Sequence, residues 1–422
     1  MALQSLAAGV KQVGSTSELA DLSNFRAGVN MLKGLIGFGI LALPWATAQV
    51  GLVPSCFGMA IIAFGTLAGI LLSAVSKARL EDGSRMGELE SLVPETKGAA
   101  DAPLDTAAWG SALGFFDKVV GQTLGFWPQV TFIAATCLLQ FGTGVAYISA
   151  VSENAEAYLH WSRERSALVL ATLLAVLSLF ERLRRVAYIS LVALLVFGVI
   201  FAALAVQGTE NYHEHRPHTH VAKGADANYG AWFGVTSFAF GGFGIANVIL
   251  PDMKQKQDFP MVMCICFAIC WVIYVTFGTA GYIFYGDATE DLIYMSFPRQ
   301  SIAFAACVAS VSVILSFTFV LQMTPVFQLT RQLLPTVHYA FVHIPVVVFA
   351  SLVAYLSPNV IFVISTLGAI GGGICGYILP AIVFLKIGSR HEVALHAVAI
   401  FVLLLGVAGS TMAVASAVLE VV

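Results

Sequence analysis

Runs of about twenty apolar residues recur from residue 28 nearly to the end of the chain, and each is long enough to cross the hydrocarbon core of a bilayer as a helix. The rest of the composition fits that constraint. Of the 422 residues, 58% are hydrophobic and only 11% are charged, and the mean hydropathy is +0.86. A soluble domain carries roughly 25% charged residues, so most of this surface is not water-facing. The net charge of -3 offers no basic surface for nucleic acid. The seven cysteines fall almost entirely inside apolar runs, where they read as small buried hydrophobes rather than a disulfide framework or a zinc site. The first 26 residues lack the apolar core and cleavage site of a signal peptide.

Eleven spans fit the hydropathy pattern best: 28–49, 52–76, 126–152, 166–181, 186–206, 230–250, 261–285, 301–323, 340–357, 359–386 and 394–419. An odd number places the termini on opposite sides. Sorting the 21 Lys and Arg by alternate connections puts fifteen, from Lys11 to Arg390, on the side of the N-terminus. Five lie on the other side (Arg163, Arg165, Arg216, Lys223 and Arg299), and Lys33 falls within a span. The excess of positive charge marks the cytosolic side, so a cytosolic N-terminus is expected. The long connection 77–125 combines a polar stretch, Glu81–Asp105, with an amphipathic piece, Trp109–Val120. That piece suits either the membrane interface or the floor of the bundle. The opposite loop, Asn211–His220, carries four histidines, a composition that suits metal capture, pH sensing or simple solvation. No resident metal or cofactor is expected.

Two spans are interrupted by glycine. The first reads KGLIGFGILALPWA from Lys33 to Ala46, and the sixth reads SFAFGGFGIANVILP from Ser237 to Pro251. Both contain Gly-Phe-Gly-Ile, at Gly37–Ile40 and Gly242–Ile245, and both run on to a proline, Pro44 and Pro251. Backbone groups freed within a membrane are tolerated only where they line a cavity or bind something. Breaks in matching spans of two halves point to a carrier's midplane binding site. Gly121, Gly125, Gly142, Gly144 and the run Gly371-Gly372-Gly373 read instead as small residues for close helix packing.

The segment Asn30 to Pro44 resembles the first-helix signature of the amino acid/auxin permease family. Similar segments follow in order: Tyr147–Asn154, Leu250–Pro260, Phe317–Gln322 and Gly368–Pro380, so the resemblance runs from about residue 25 to 419. It is closest in motif to the proton-coupled and vacuolar branch. The resemblance implies an all-α polytopic membrane protein with broken helices one and six. It also implies a five-plus-five inverted repeat, 28–206 and 230–386, with one further helix in 387–422. Its tail would be 1–27, and the histidine-containing loop would lie at 207–229. It implies a secondary active transporter of amino acids, with a substrate site formed by exposed backbone. Gly34, Ile36, Gly37, Phe38 and Gly39 would form one wall and Phe240, Gly241, Gly242, Phe243 and Gly244 the other. Tyr147 would be an aromatic cover.

The sodium-coupled branch binds its ion through an asparagine on helix one and a hydroxyl residue on helix eight. Lys33 aligns with that asparagine and Thr318 lies near the hydroxyl position, so an ammonium takes the place of sodium and proton coupling is favoured. Asn30 departs from the animal proton-coupled proteins, which carry a histidine there. Lys33, Glu153 and Glu156 are then the candidates for titration. A sensor of amino acids, with the 77–125 connection as its partner-binding segment, is the competing reading. The spans show neither a channel's filter loop nor a cluster of catalytic groups.

Overall fold

The computed structural model describes residues 22–81, 115–179, 188–334, 336–357, 359–389 and 391–421. The tail before residue 22, the polar stretch after Glu81, the first part of the Trp109–Val120 piece and the basic residues Arg182, Arg184, Arg185 and Arg390 lie outside the described residues.

α1 (Asn24–Leu35) begins at Ser23, whose hydroxyl accepts from the Arg26 N–H, and it stops at Ile36–Gly37. The chain resumes as a 3₁₀ turn, Phe38–Ala42, and then α2 (Leu43–Val50), bent by 45° from α1. Pro44 stands at the start of α2, where its missing N–H costs no intrahelical bond. Gly51, at φ 93°, turns the corner into α3 (Leu52–Glu81). α4 (Phe116–Leu124), α5 (Phe126–Leu159), α6 (Arg163–Ser178) and α7 (Tyr188–His215) complete the first half.

A second break follows. α8 (Tyr229–Ala239) ends at Phe240–Gly242, and α9 (Phe243–Asp252) continues beyond it. α10 (Phe259–Tyr285) and α11 (Ile302–Gln322) follow, and α12 (Thr324–Leu333) and α13 (Tyr339–Leu356) come next. α14 (Val360–Leu367) then passes into a π-wound segment, Gly368–Ile378, and α15 (Leu379–Ile387). α16 (Val393–Val421) is last.

Side-chain and backbone contacts tie these helices together at two ends of a bundle. At the proximal end, where α1 starts, Leu22 pairs with Asp252 and Lys254 across backbone bonds of 3.1 and 3.0 Å, and Arg79 bonds Glu392. At the distal end, Val53 N–H donates to Val221 O at 2.9 Å, Val360 N–H donates to Glu153 at 2.9 Å, and Arg163 bonds the carbonyls of Ala354 and Ser357. Large apolar side chains such as Phe57, Trp127 and Phe341 are left exposed, as suits a surface that meets lipid. This is a polytopic integral membrane protein.

Among the described residues nine helices are long and apolar enough to cross a membrane, and ten if the bent first pair is one span. The eleven expected spans differ from these by one, the fourth. Its helix, α6, has 16 residues, about 24 Å at 1.5 Å per residue. Yet α6 lies along the whole of α13: Arg163 reaches Ala354 O at one end, and the Ser178 carbonyl is 3.1 Å from His343 Nδ1 at the other. The connection also differs from a loop at 77–125. α3 runs on to Glu81, and Phe116, fully buried in α4, meets the rings of Phe132 and Phe243. The described part of the amphipathic piece therefore packs on the bundle rather than lying free.

Candidate functional site

A cavity of about 600 Å³ lies where the two breaks face one another. It is bordered by Gly34, Gly37, Phe38 and Gly39 of the first broken span and by Gly241, Phe243 and Gly244 of the second. Asn30 and Tyr147 also border it. Phe38 and Tyr147 meet edge to face, with ring centroids 5.5 Å apart. The Tyr147 hydroxyl has no hydrogen-bond partner among the described residues.

The breaks strip the backbone of partners on both sides of this cavity. α9 starts with no side-chain cap, and its first intrahelical bond is Ala246 N–H to Gly242 O. The N–H groups of Phe243, Gly244 and Ile245 therefore find no acceptor among the described residues, the ordinary condition of an uncapped helix start. The N–H groups of Gly37, Phe38 and Gly39 are in the same condition. At the end of α1, the Lys33, Gly34 and Ile36 carbonyls accept nothing from the described residues, whereas Leu35 O is held by the Tyr274 hydroxyl. That hydroxyl also lies 3.1 Å from Ala239 O. One buried tyrosine on α10 thus touches a loose carbonyl of each break.

Five expected site residues do not border the cavity. Phe240 is fully buried and turns its ring to Phe267 and Tyr274 on α10. At Gly242, a Cβ would meet the Met31 and Leu35 side chains at 2.5 and 2.8 Å, so this glycine lets α9 close on α1. Ile36 caps the end of α1, half-buried, away from the cavity. The Lys33 ammonium is half-buried and makes no hydrogen bond or ion pair among the described residues. Thr318 spends its hydroxyl on its own helix, donating toward Ile314 O at 2.8 Å and Leu315 O at 3.3 Å.

Several polar residues border the cavity that the sequence did not single out. Gln322 donates to Gln140, the Thr66 and Tyr377 hydroxyls are 2.7 Å apart, and Gln328 Oε1 is buried without a partner. Thr136, Thr143, Ser237, Gly372 and Cys375 join them. The run Gly371-Gly372-Gly373 was the available signal. Read as packing, it is that at two positions: a Cβ at Gly371 would meet Leu139 and one at Gly373 would meet Ser410 Oγ at 2.1 Å. Gly372, between them, borders the cavity. Among the described residues, no side chain bordering the cavity carries a charge.

A second, polar cavity of about 500 Å³ lies at the distal end. Glu153, Glu156, Asp291, Arg163 and Arg299 line it, and the Glu153 carboxylate accepts from the Val360 N–H at the start of α14.

A sequence profile of the family described as transmembrane amino acid transporter protein matches residues 20–419. The chain belongs to this family. The chain is similar to the "Amino acid transporter ANT1" of Arabidopsis thaliana, 24% identical over 324 residues that cover 74% of this chain and 68% of that protein. "Amino acid transporter AVT3A" of the same plant is 23% identical over 376 residues, 89% of this chain and 84% of its own. The matched region includes both glycine breaks and all of the residues that border the cavity. The family is one of transporters.

Proposed function

We propose that this protein is a secondary active transporter of neutral amino acids, working by alternating access. The observation that carries the reading is the pairing of two unwound segments across one uncharged cavity. The loose N–H groups of Phe243, Gly244 and Ile245 sit at the positive end of α9, where a carboxylate is stabilised. The Gly34 carbonyl, which borders the cavity and has no partner among the described residues, sits at the negative end of α1 and suits an ammonium. A zwitterion offers both groups together. With no charged side chain bordering the cavity among the described residues, a cationic or anionic substrate side chain would be left there without a counter-charge, which is costly away from water. The polar amides and hydroxyls suit small polar or apolar side chains.

The cavity borders run from Gly39 and Phe38 down α1 to Asn30, and down α9 to Ile249. It therefore extends toward the proximal end, while the Phe38–Tyr147 contact covers it distally. Under the positive-inside orientation this is the cytosol-facing state. Alternating access would then exchange that aromatic cover for closure below Gly34 and Gly244. The two halves would act as inverted repeats pivoting about the breaks. Coupling is to protons rather than sodium in this reading. Lys33 stands beside the site and Thr318 is already bonded to its own helix, while Glu153 and Glu156 are the acidic groups available to a proton.

Uptake of radiolabelled amino acids into proteoliposomes tests this. Neutral amino acids should be carried, lysine and glutamate should neither enter nor compete, and choline in place of sodium should change nothing. Acidifying the non-cytosolic side should increase the rate. Binding of neutral amino acids without any flux would turn the reading toward a sensor, and a strict sodium requirement would end the coupling argument.

A further inference from the structure

We propose that His218, His220 and Asp287 form a site for one divalent transition-metal ion of the zinc class at the distal end of the bundle. Their ligand atoms all lie within 4.8 Å of one another, and all three side chains are at least partly open to solvent. His220 Nε2 is 3.2 Å from Asp287 Oδ2. Two ligands at about 2.0–2.1 Å on one tetrahedral ion stand roughly 3.3 Å apart, so this pair is already at ligand spacing. The His218 ring lies 4.6 Å from the His220 ring, and a small side-chain rotation completes three ligands, leaving a fourth position for water.

The surroundings orient the group as an outer layer does in metal sites. Lys223 Nζ and the Tyr282 hydroxyl both hold Asp287 Oδ1, at 2.8 and 3.3 Å, which leaves Oδ2 directed at His220. The same Tyr282 oxygen accepts from the His220 N–H at 2.9 Å, fixing the backbone that carries the imidazole. The His218 backbone lies against the end of α10: a Cβ at Gly286, which has φ 60°, would lie 2.4 Å from His218 O. Two imidazoles and one carboxylate favour zinc, copper or nickel over calcium and magnesium, which require more oxygen ligands.

The position gives the ion something to hold. The strap 216–228 pairs with the far end of the broken first span through Lys223 N–H to Val50 O, Asn228 N–H to Gln49 O and Leu52 N–H to His220 O. An ion shared by this strap and Asp287 links that corner to the end of α10. The proposal does not depend on what the protein transports.

The test uses the full chain, purified in detergent with a tag free of histidine and stripped of metal, titrated with zinc chloride in a calorimeter. One equivalent should bind in the micromolar range and raise the thermal unfolding midpoint. His218→Ala and His220→Ala should each weaken binding at least tenfold, and the double variant should lose both the heat and the shift. His213→Ala with His215→Ala, one turn earlier in sequence, should bind as the wild type does, and magnesium should bind none. The strap's backbone bonds survive these substitutions, so equal midpoints without metal establish that the variants fold. Absence of stoichiometric binding in the wild type, or full binding by the His218/His220 double variant, would overturn the proposal.

Discussion

Gly39 and Gly244 occupy equivalent places in the two breaks, yet their surroundings separate what a side chain would do at each. No atom lies within 4 Å of the Cβ position of Gly244, whereas at Gly39 it would lie 2.9 Å from Ala239 Cα. Gly244→Val should therefore fold at wild-type yield and lose uptake, because its methyl groups enter the cavity. Gly39→Val should lower the yield and melting temperature before transport is in question. Monodisperse protein recovered from both, assayed for uptake, checks the contrast. The Tyr274 hydroxyl touches loose carbonyls of both breaks. Tyr274→Phe leaves those buried acceptors unpaired, at a cost of about 1–3 kcal/mol, and should lower the unfolding midpoint measured in detergent.

At the level of helices, α8 packs backbone to backbone on the end of α14 and the start of the π-wound segment. A Cβ at Gly234 would lie 2.3 Å from Ser365 O, and one at Gly368 would lie 1.9 Å from Gly234 O. Backbone faces backbone there, so no flexible side chain can yield. Gly368→Ala should destabilise by roughly 1–3 kcal/mol, the usual range for overpacking, seen as reduced yield and an earlier melt. Gly372→Ala, four residues on, has only Ser237 O at 3.9 Å near its Cβ position. It should fold normally and alter substrate affinity instead, since that residue borders the cavity. The contrast distinguishes a segment wound for packing from one wound to present a wall to a ligand.

For the whole molecule, the contacts at the two ends fix which segments share a face but not which face meets the cytosol. The charge asymmetry supplies the expectation: the proximal end is cytosolic. A cysteine at Val221, which is 68% exposed, in a cysteine-free background should react with an impermeant maleimide from the non-cytosolic side. A cysteine at the exposed Gln255 should react only after permeabilisation. The opposite pattern would invert the orientation and the direction in which the cavity opens.

Apolar run length and glycine placement are local properties, so the membrane class, most span positions and the two breaks were legible in the chain. Gly34, Gly37, Phe38, Gly39, Gly241, Phe243 and Gly244 were expected from those breaks together with the family resemblance, and the fold brings them to one cavity. Which residue of a break turns inward depends on helix rotation and on what packs behind it. Phe240, Gly242 and Ile36, adjacent in sequence to cavity residues, were thus indistinguishable from them until α10 and α1 were seen at their backs. Gln140, Gln322, Thr66 and Tyr377 meet across separations of 182 and 311 residues, and no local pattern encodes such a meeting. The same holds for Asp287, whose carboxylate faces His220 only because α10 ends beneath the strap. Sequence alone determined that the chain crosses a membrane and where its helices must break; tertiary packing alone decided which side chains and loose backbone groups share a space.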